Sequence, residues 1–281
     1  MFSFPKGGLI GRGVRLFRKI SGYRIPLYAA NAGYFLILAV FPGLVLLSAL
    51  LRYTQLDVHD LFAFLEGVVP RALLPEAELL ILQIYRWADD ALVGLSAVTA
   101  LWSASRGIYS LLTGLNAVYA VSESRGWLYT RLISVIYTFL FLLVLLLTLV
   151  LHVFGTGVVE LLDRSEAPFF RFLTGVLDLR FFLLVLLQTA LFTAIFMVFP
   201  NQRNSFSASL PGALLSAIGW LVFSQLFSLY VERFTAYDNL YGSVYALALS
   251  MLWLYCCISI LFYGGVLNRL LSPTPEEHGK T

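Results

Sequence analysis

Residues 91–121 read ALVGLSAVTALWSASRGIYSLLTGLNAVYAV, a long apolar run with one arginine, Arg106, set inside it. A lone cation in hydrocarbon is costly, so Arg106 is expected to face protein or a water-filled cavity. At helical spacing Thr99, Trp102, Arg106, Tyr109, Thr113 and Asn116 recur at steps of three and four and therefore share one face. Beside them run Ser96, Ala100, Ser103, Gly107, Ser110 and Gly114, small residues of the kind that let helix backbones approach closely. Val98, Leu101, Ile108, Leu112 and Leu115 make a third, apolar face. The expectation is a membrane helix with a polar pathway or binding face, a packing face and a lipid face.

The rest of the chain supports a membrane setting. Of its 281 residues 59% are hydrophobic and only 12% charged, where a soluble domain carries about 25% charged residues. Six stretches approach the roughly 20 residues that a helix needs to cross the hydrocarbon. They are about 27–51, 91–115, 132–154, 181–199, 210–231 and 244–268. The expected fold is thus an all-α membrane protein with six transmembrane helices and both termini on one side. Lys6, Arg12, Arg15, Arg18, Lys19, Arg24, Arg125, Arg131, Arg203, Arg269 and Lys280 all fall on that side. The opposite loops hold Arg52, Arg71, Arg86, Arg164, Arg171, Arg180 and Arg233, accompanied by most of the acids. Lys and Arg in flanking loops favour the cytoplasm, so both termini are expected to be cytoplasmic.

Residues 1–26 are basic, carry no acid and include Val14, Leu16, Phe17 and Ile20. They are expected to form an interfacial helix on the anionic lipids of the inner leaflet. Positive-inside flanking explains this charge without nucleic acid, so no nucleic-acid partner is expected. The transmembrane domain covers 27–268, and 269–281 form a cytoplasmic tail. In the first span Asn31 adds a polar group near the inner end, and Phe41-Pro42-Gly43 predicts a kink or break. The outer segment 52–90 reads as two amphipathic helices broken at Pro70 and Pro75, placed to cap the bundle or to pack on it. The third span, apolar on every face, reads as scaffold.

The fourth and fifth spans are expected to form a tight hairpin, with Pro211 in the first turn of the fifth and Gly212, Ser216 and Gly219 on one packing face. A short outer link with Tyr237, Asp238, Tyr241, Gly242 and Ser243 leads to the last span. That span ends in Gly264-Gly265, suited to close packing or a bend, and Asn268. Its neighbours Cys256 and Cys257 point to different faces and cannot bridge without strain.

Leu101-Trp102-Ser103-Ala104-Ser105-Arg106-Gly107 with Asn116, Phe199-Pro200-Asn201, Pro211-Gly212-Ala213, Tyr241-Gly242-Ser243 and Leu252-Trp253-Leu254-Tyr255, then Gly264 and Asn268, occur in one order and spacing. In these motifs, over about residues 20–270, the chain resembles the YihY/BrkB family of bacterial inner-membrane proteins. The resemblance implies a six-helix architecture with cytoplasmic termini in the bacterial inner membrane. One member of that family is associated with resistance to killing by serum and another with export of a lipid A precursor. Both imply handling of envelope lipids. The family also long carried a ribonuclease label.

Nuclease chemistry needs a metal cluster or a paired acid and base. His59, His152 and His278 stand far apart in sequence, in no ligand-spaced cluster. No phosphate-binding glycine loop, Walker motif or nucleophile elbow is present. No enzymatic activity, metal or cofactor is expected. The leading expectation is a transporter or flippase for an anionic amphiphile or envelope lipid. In it Arg106 holds a phosphate or carboxylate, and Trp102, Tyr109, Thr99, Thr113, Asn116 and Asn31 line the route. The alternative is a structural membrane protein, homo-oligomeric or bound to a partner protein, in which Arg106 is paired and the stripe holds helices together. Pro42, Gly43, Gly107, Gly212, Gly264 and Gly265 are the expected hinge or packing positions in either case.

Overall fold

Every regular element among the described residues is helical. The computed structural model describes residues 20–52, 62, 69–87, 90–126, 128–138, 179–234 and 238–271. In order these form α1 (Ile25–Arg52), a 3-10 turn (Arg71–Leu73), α2 (Leu74–Trp87) and α3 (Asp90–Tyr119). Then follow α4 (128–138), α5 (Leu179–Val198), α6 (Phe206–Phe234) and α7 (Asp238–Leu271).

Three stretches, Ile25–Val45, Phe206–Arg233 and Val244–Leu271, have the length and apolarity to cross a bilayer, and Val185–Val198 is a shorter apolar stretch. At 1.5 Å per residue the 30 residues of α3 reach about 45 Å, but its polar stripe keeps it less apolar than those three. Of the six expected spans, the third lies outside the described residues beyond position 138. Residues 1–19 of the basic segment, the stretch 155–178, the three histidines and the tail beyond 271 also lie outside them.

Two tight helix pairs meet in one core. Ala29 and Ala32 of α1, Leu112 and Leu115 of α3, Phe196 of α5, Ala213 and Ala217 of α6, and Ile258 and Phe262 of α7 are all buried together. Helices α1 and α3 run antiparallel in the first pair. Ser110 Oγ donates to Tyr28 O at 3.1 Å, and a methyl on Gly107 would lie 2.7 Å from Leu36 Cγ. Gly114 sits against Tyr28 and Phe262 in the same way. The small-residue face of α3 therefore carries the α1 contact.

The face expected to meet lipid is corrected by the structure. Ile108, Leu112 and Leu115 are buried, whereas Val98, nearer the helix start, is 68% exposed. In its second half α3 is covered by α7 as well as α1, because Gly265 brings the α7 backbone close to Leu115 and Val118. Two of its three faces are thus used for packing there.

The second pair is α6 and α7. A Cβ on Gly212 would run into the Gly264 carbonyl, and one on Gly264 into Ser216 Oγ and the Gly212 carbonyl. Helix α6 starts at Phe206, which puts Pro211 in its second turn and not in its first. The reason is a serine cap: the Ala208 amide donates to Ser205 Oγ at 3.3 Å, so the helix starts ahead of the proline. Pro211 then interrupts the ladder, and Asn268 of α7 splints the interruption. Its Oδ1 accepts from the Gly212 amide at 2.6 Å and its Nδ2 donates to Ser209 O at 3.0 Å.

Other boundaries also moved. Helix α1 is continuous through Pro42, so of the expected kink or break the break is absent; proline removes one ladder bond, and the neighbouring bonds hold the helix. The link expected at 238–243 belongs to α7, which starts at Asp238. The break near Pro70 and Pro75 leaves the 3-10 turn, and Pro75 falls in the first turn of α2, where its missing donor costs nothing. Leu73 of that turn is buried with Phe227, Val231 and Trp253, so the segment rests on α6 and α7. At the opposite end Arg269 donates to Tyr23 Oη at 2.9 Å and to Val118 O at 2.6 Å. The start of α1 and the end of α7 therefore share one end of the bundle.

Candidate functional site

The polar stripe of α3 divides into two halves with different surroundings. In the first half Thr99, Trp102 and Arg106 are exposed. Thr99 Oγ1 donates within its own helix, to Leu95 O at 2.8 Å. The Arg106 guanidinium carbon lies 5.2 Å from the Phe35 ring centroid and 5.9 Å from that of Trp102. A cation over aromatic faces gains from the ring quadrupole while staying open to a ligand. Phe35 stands on α1 one turn beyond Asn31, so the exposed Asn31 shares its strip of that helix.

A second cation reaches the same ring. The Arg131 guanidinium carbon on α4 is 4.5 Å from the Trp102 centroid, and its Nη2 donates to Trp102 O at 3.4 Å. Two arginines from different helices thus converge on one exposed tryptophan. Neither takes part in an ion pair among the described residues, and the neighbouring Arg125 is paired with Glu123.

In the second half the stripe is structural. Tyr109 and Thr113 are half-buried, and Thr113 Oγ1 donates to Tyr109 O and Ser110 O at 3.0 and 3.1 Å. Asn116 is buried and holds two loops together: its Nδ2 donates to Glu123 Oε2 at 2.7 Å, and its Oδ1 accepts from the Asn201 amide at 2.7 Å. Glu123 in turn binds Arg125 at 2.6 and 2.8 Å. Asn201 donates to Ser122 O and Ser124 Oγ. The chain turns into this loop at Ala120, whose φ of 52° ends α3 while Val121 N donates back to Asn116 O.

Hydrogen bonding and charge from Arg125 hold the Glu123 carboxyl below its usual value. A carboxylate whose folded value is depressed stabilises the fold above the ordinary carboxylate range, and that contribution is lost as pH falls through the folded value. Thermal stability of the purified protein is expected to drop as pH is lowered from about 5 to about 3, and Glu123→Gln is expected to flatten this part of the profile. An unchanged profile in that variant would remove Glu123 as the cause.

Sequence reasoning missed Arg131, Phe35 and the Asn116–Glu123–Arg125–Asn201 network. Arg131 was visible only as a loop charge, and its meeting with Trp102 depends on how α4 folds back along α3. Glu123 is engaged by Arg125 and Asn116 and not by Arg106. Gly107, Gly212, Gly264 and Gly265 sit at close contacts, while the Cβ position of Gly43 has no atom within 4 Å. Pro42 is buried in the continuous α1. An open depression of about 320 Å³ beside the loop, lined by Met197, Val198, Pro200, Asn201, Gln202 and Arg203, includes none of the stripe. Among the described residues no three His, Cys, Asp or Glu side chains gather as a metal site.

The family described as "Virulence factor BrkB" matches residues 16–280. A Bacillus subtilis protein named as ribonuclease-like, YfkH, is 30% identical over 253 residues, 89% of this chain and 92% of its own length. A UPF0761 membrane protein of Rhodospirillum centenum is 30% identical over 64% of this chain, which spans 37% of that relative. Another from Nitrosospira multiformis is 28% identical over 71% of this chain and 46% of its own length. Of these two UPF0761 relatives the chain thus spans less than half. No solved structure matches.

Proposed function

Because the chain belongs to the BrkB family, whose relatives include proteins named as membrane proteins, we propose that it is a non-catalytic carrier or flippase-like protein for an anionic amphiphile of the envelope. The observation that carries this reading is the pair of arginines over the exposed Trp102. Guanidinium groups give planar, charge-assisted hydrogen bonds to phosphate or carboxylate, and the aromatic rings beneath them keep the cations in place without neutralising them. In this reading the chain crosses the inner membrane six times with cytoplasmic termini, and its partners are lipids. The ribonuclease-like name of one relative supplies no catalytic group here.

A second reading, a structural or partner-binding membrane protein, has its own observation: Thr113 and Asn116 spend their polar groups on helix and loop hydrogen bonds. Single cysteines along the stripe, in a variant without Cys256 and Cys257, separate the two. Transport predicts labelling at 99, 102 and 106 by a water-soluble thiol reagent, and loss of transport with normal membrane insertion in Arg106→Ala. Arg106→Lys is expected to recover only part, because a point charge lacks the planar fork. Uniform protection, or loss of the Arg106→Ala protein from the membrane, would favour the structural role.

A further inference from the structure

We infer that the Arg106–Trp102–Arg131 surface selects a lipid whose headgroup is a phosphate monoester, carrying two negative charges, over a singly charged phosphodiester lipid. This rests on the anionic-amphiphile reading and adds the valence of the headgroup and the role of Arg131. Both guanidinium carbons lie within 6 Å of one ring centroid, so they are within about 10 Å of each other. From there the two exposed side chains need only turn toward each other for one phosphate to take hydrogen bonds of about 2.8 Å from both. Each arginine has five donors, and the single bond from Arg131 to Trp102 O leaves most of its set available.

The electrostatics favour a dianion. Two like charges held close repel each other, and neither has an ion pair among the described residues. A monoanion offsets one of them, whereas a dianion offsets both. Apolar surface adjoins the charged pair. Leu95, seven residues before Trp102 and so on its side of α3, is 67% exposed, and Val98, where that side borders the third face, is 68% exposed. An acyl chain has somewhere to lie, which makes a lipid a better fit than a free phosphate ester.

The test is competition for the purified full chain in detergent, with a fluorescent phosphatidic acid as the bound probe. Dioleoyl phosphatidic acid is expected to compete about tenfold better than dioleoyl phosphatidylglycerol, which has the same chains and one charge. Arg131→Gln is expected to bring the two lipids to parity while phosphatidylglycerol still competes, and Arg131→Lys to keep the preference. The wild-type protein gives a check that needs no variant. At pH 5, below the second phosphate pKa of about 6, the preference is expected to vanish. A preference that persists at pH 5 or in Arg131→Gln overturns the inference and leaves the amphiphile reading standing. Binding of both lipids that is indifferent to Arg106→Gln overturns the reading itself. Competition by millimolar glycerol 3-phosphate overturns the assignment to a lipid and gives the site to a soluble phosphate ester.

Discussion

Asn268→Leu is expected to destabilise the helical domain by roughly 3–5 kcal/mol, read as early thermal loss of the monodisperse peak in size-exclusion chromatography. The volume change is small and the loss is polar. Asn268 is 1% exposed, and its side chain bonds the Gly212 amide and the Ser209 carbonyl. Leaving a buried backbone group unpaired costs about 1–3 kcal/mol, and in lipid no water is available to take over. The dependence on Pro211 gives a second measurement. Pro211→Ala removes the ring that pushes against the Ser207 carbonyl and lets the Gly212 amide turn back toward Ala208 O in the α6 ladder, so it is expected to recover part of the loss in the Asn268→Leu background. Strictly additive effects in this double-mutant cycle would show that Asn268 does not serve the proline-interrupted ladder.

Gly212→Ala is expected to cost about 1–3 kcal/mol or more, because the added methyl meets backbone and not a flexible side chain. Gly264→Ala is expected to match it, since its methyl meets Ser216 and the Gly212 carbonyl. The contrast is Gly43→Ala, where the space is open and alanine's higher helix propensity favours a gain of up to about 1 kcal/mol. Equal effects at all three positions would mean that glycine acts here through backbone entropy and not through helix approach.

How far the sequence could be read depends on which interaction each residue makes. The Gly107–Ser110–Gly114 strip and the Gly212–Ser216–Gly219 strip were legible, because small residues at helical spacing mark close approach whatever the partner helix. The identity of the third face of α3 was not. Ile108, Leu112 and Leu115 have the same apolar chemistry whether they meet lipid or another helix, and only the tertiary arrangement decides. Helix ends were harder still. The end of α3 falls at an alanine in the left-handed region, a place where glycine would have announced it. The start of α6 depends on Ser205, whose capping role is hidden by the more conspicuous Pro211-Gly212. In the candidate site Arg106 stood out because a charge in an apolar run is rare, and Trp102 followed from its register. Arg131, outside that run, needed the tertiary fold.

The splint between α6 and α7 also has a mechanical meaning. A one-turn slide of α7 past α6 would carry Asn268 about 5.4 Å from its two backbone partners and drive a bulkier side chain into the Gly212–Gly264 crossing. These two helices are therefore locked in register and transmit force as one strut. Any rocking of the bundle that exposes alternate ends has to open along a different seam, with α6 and α7 turning together as a single lever.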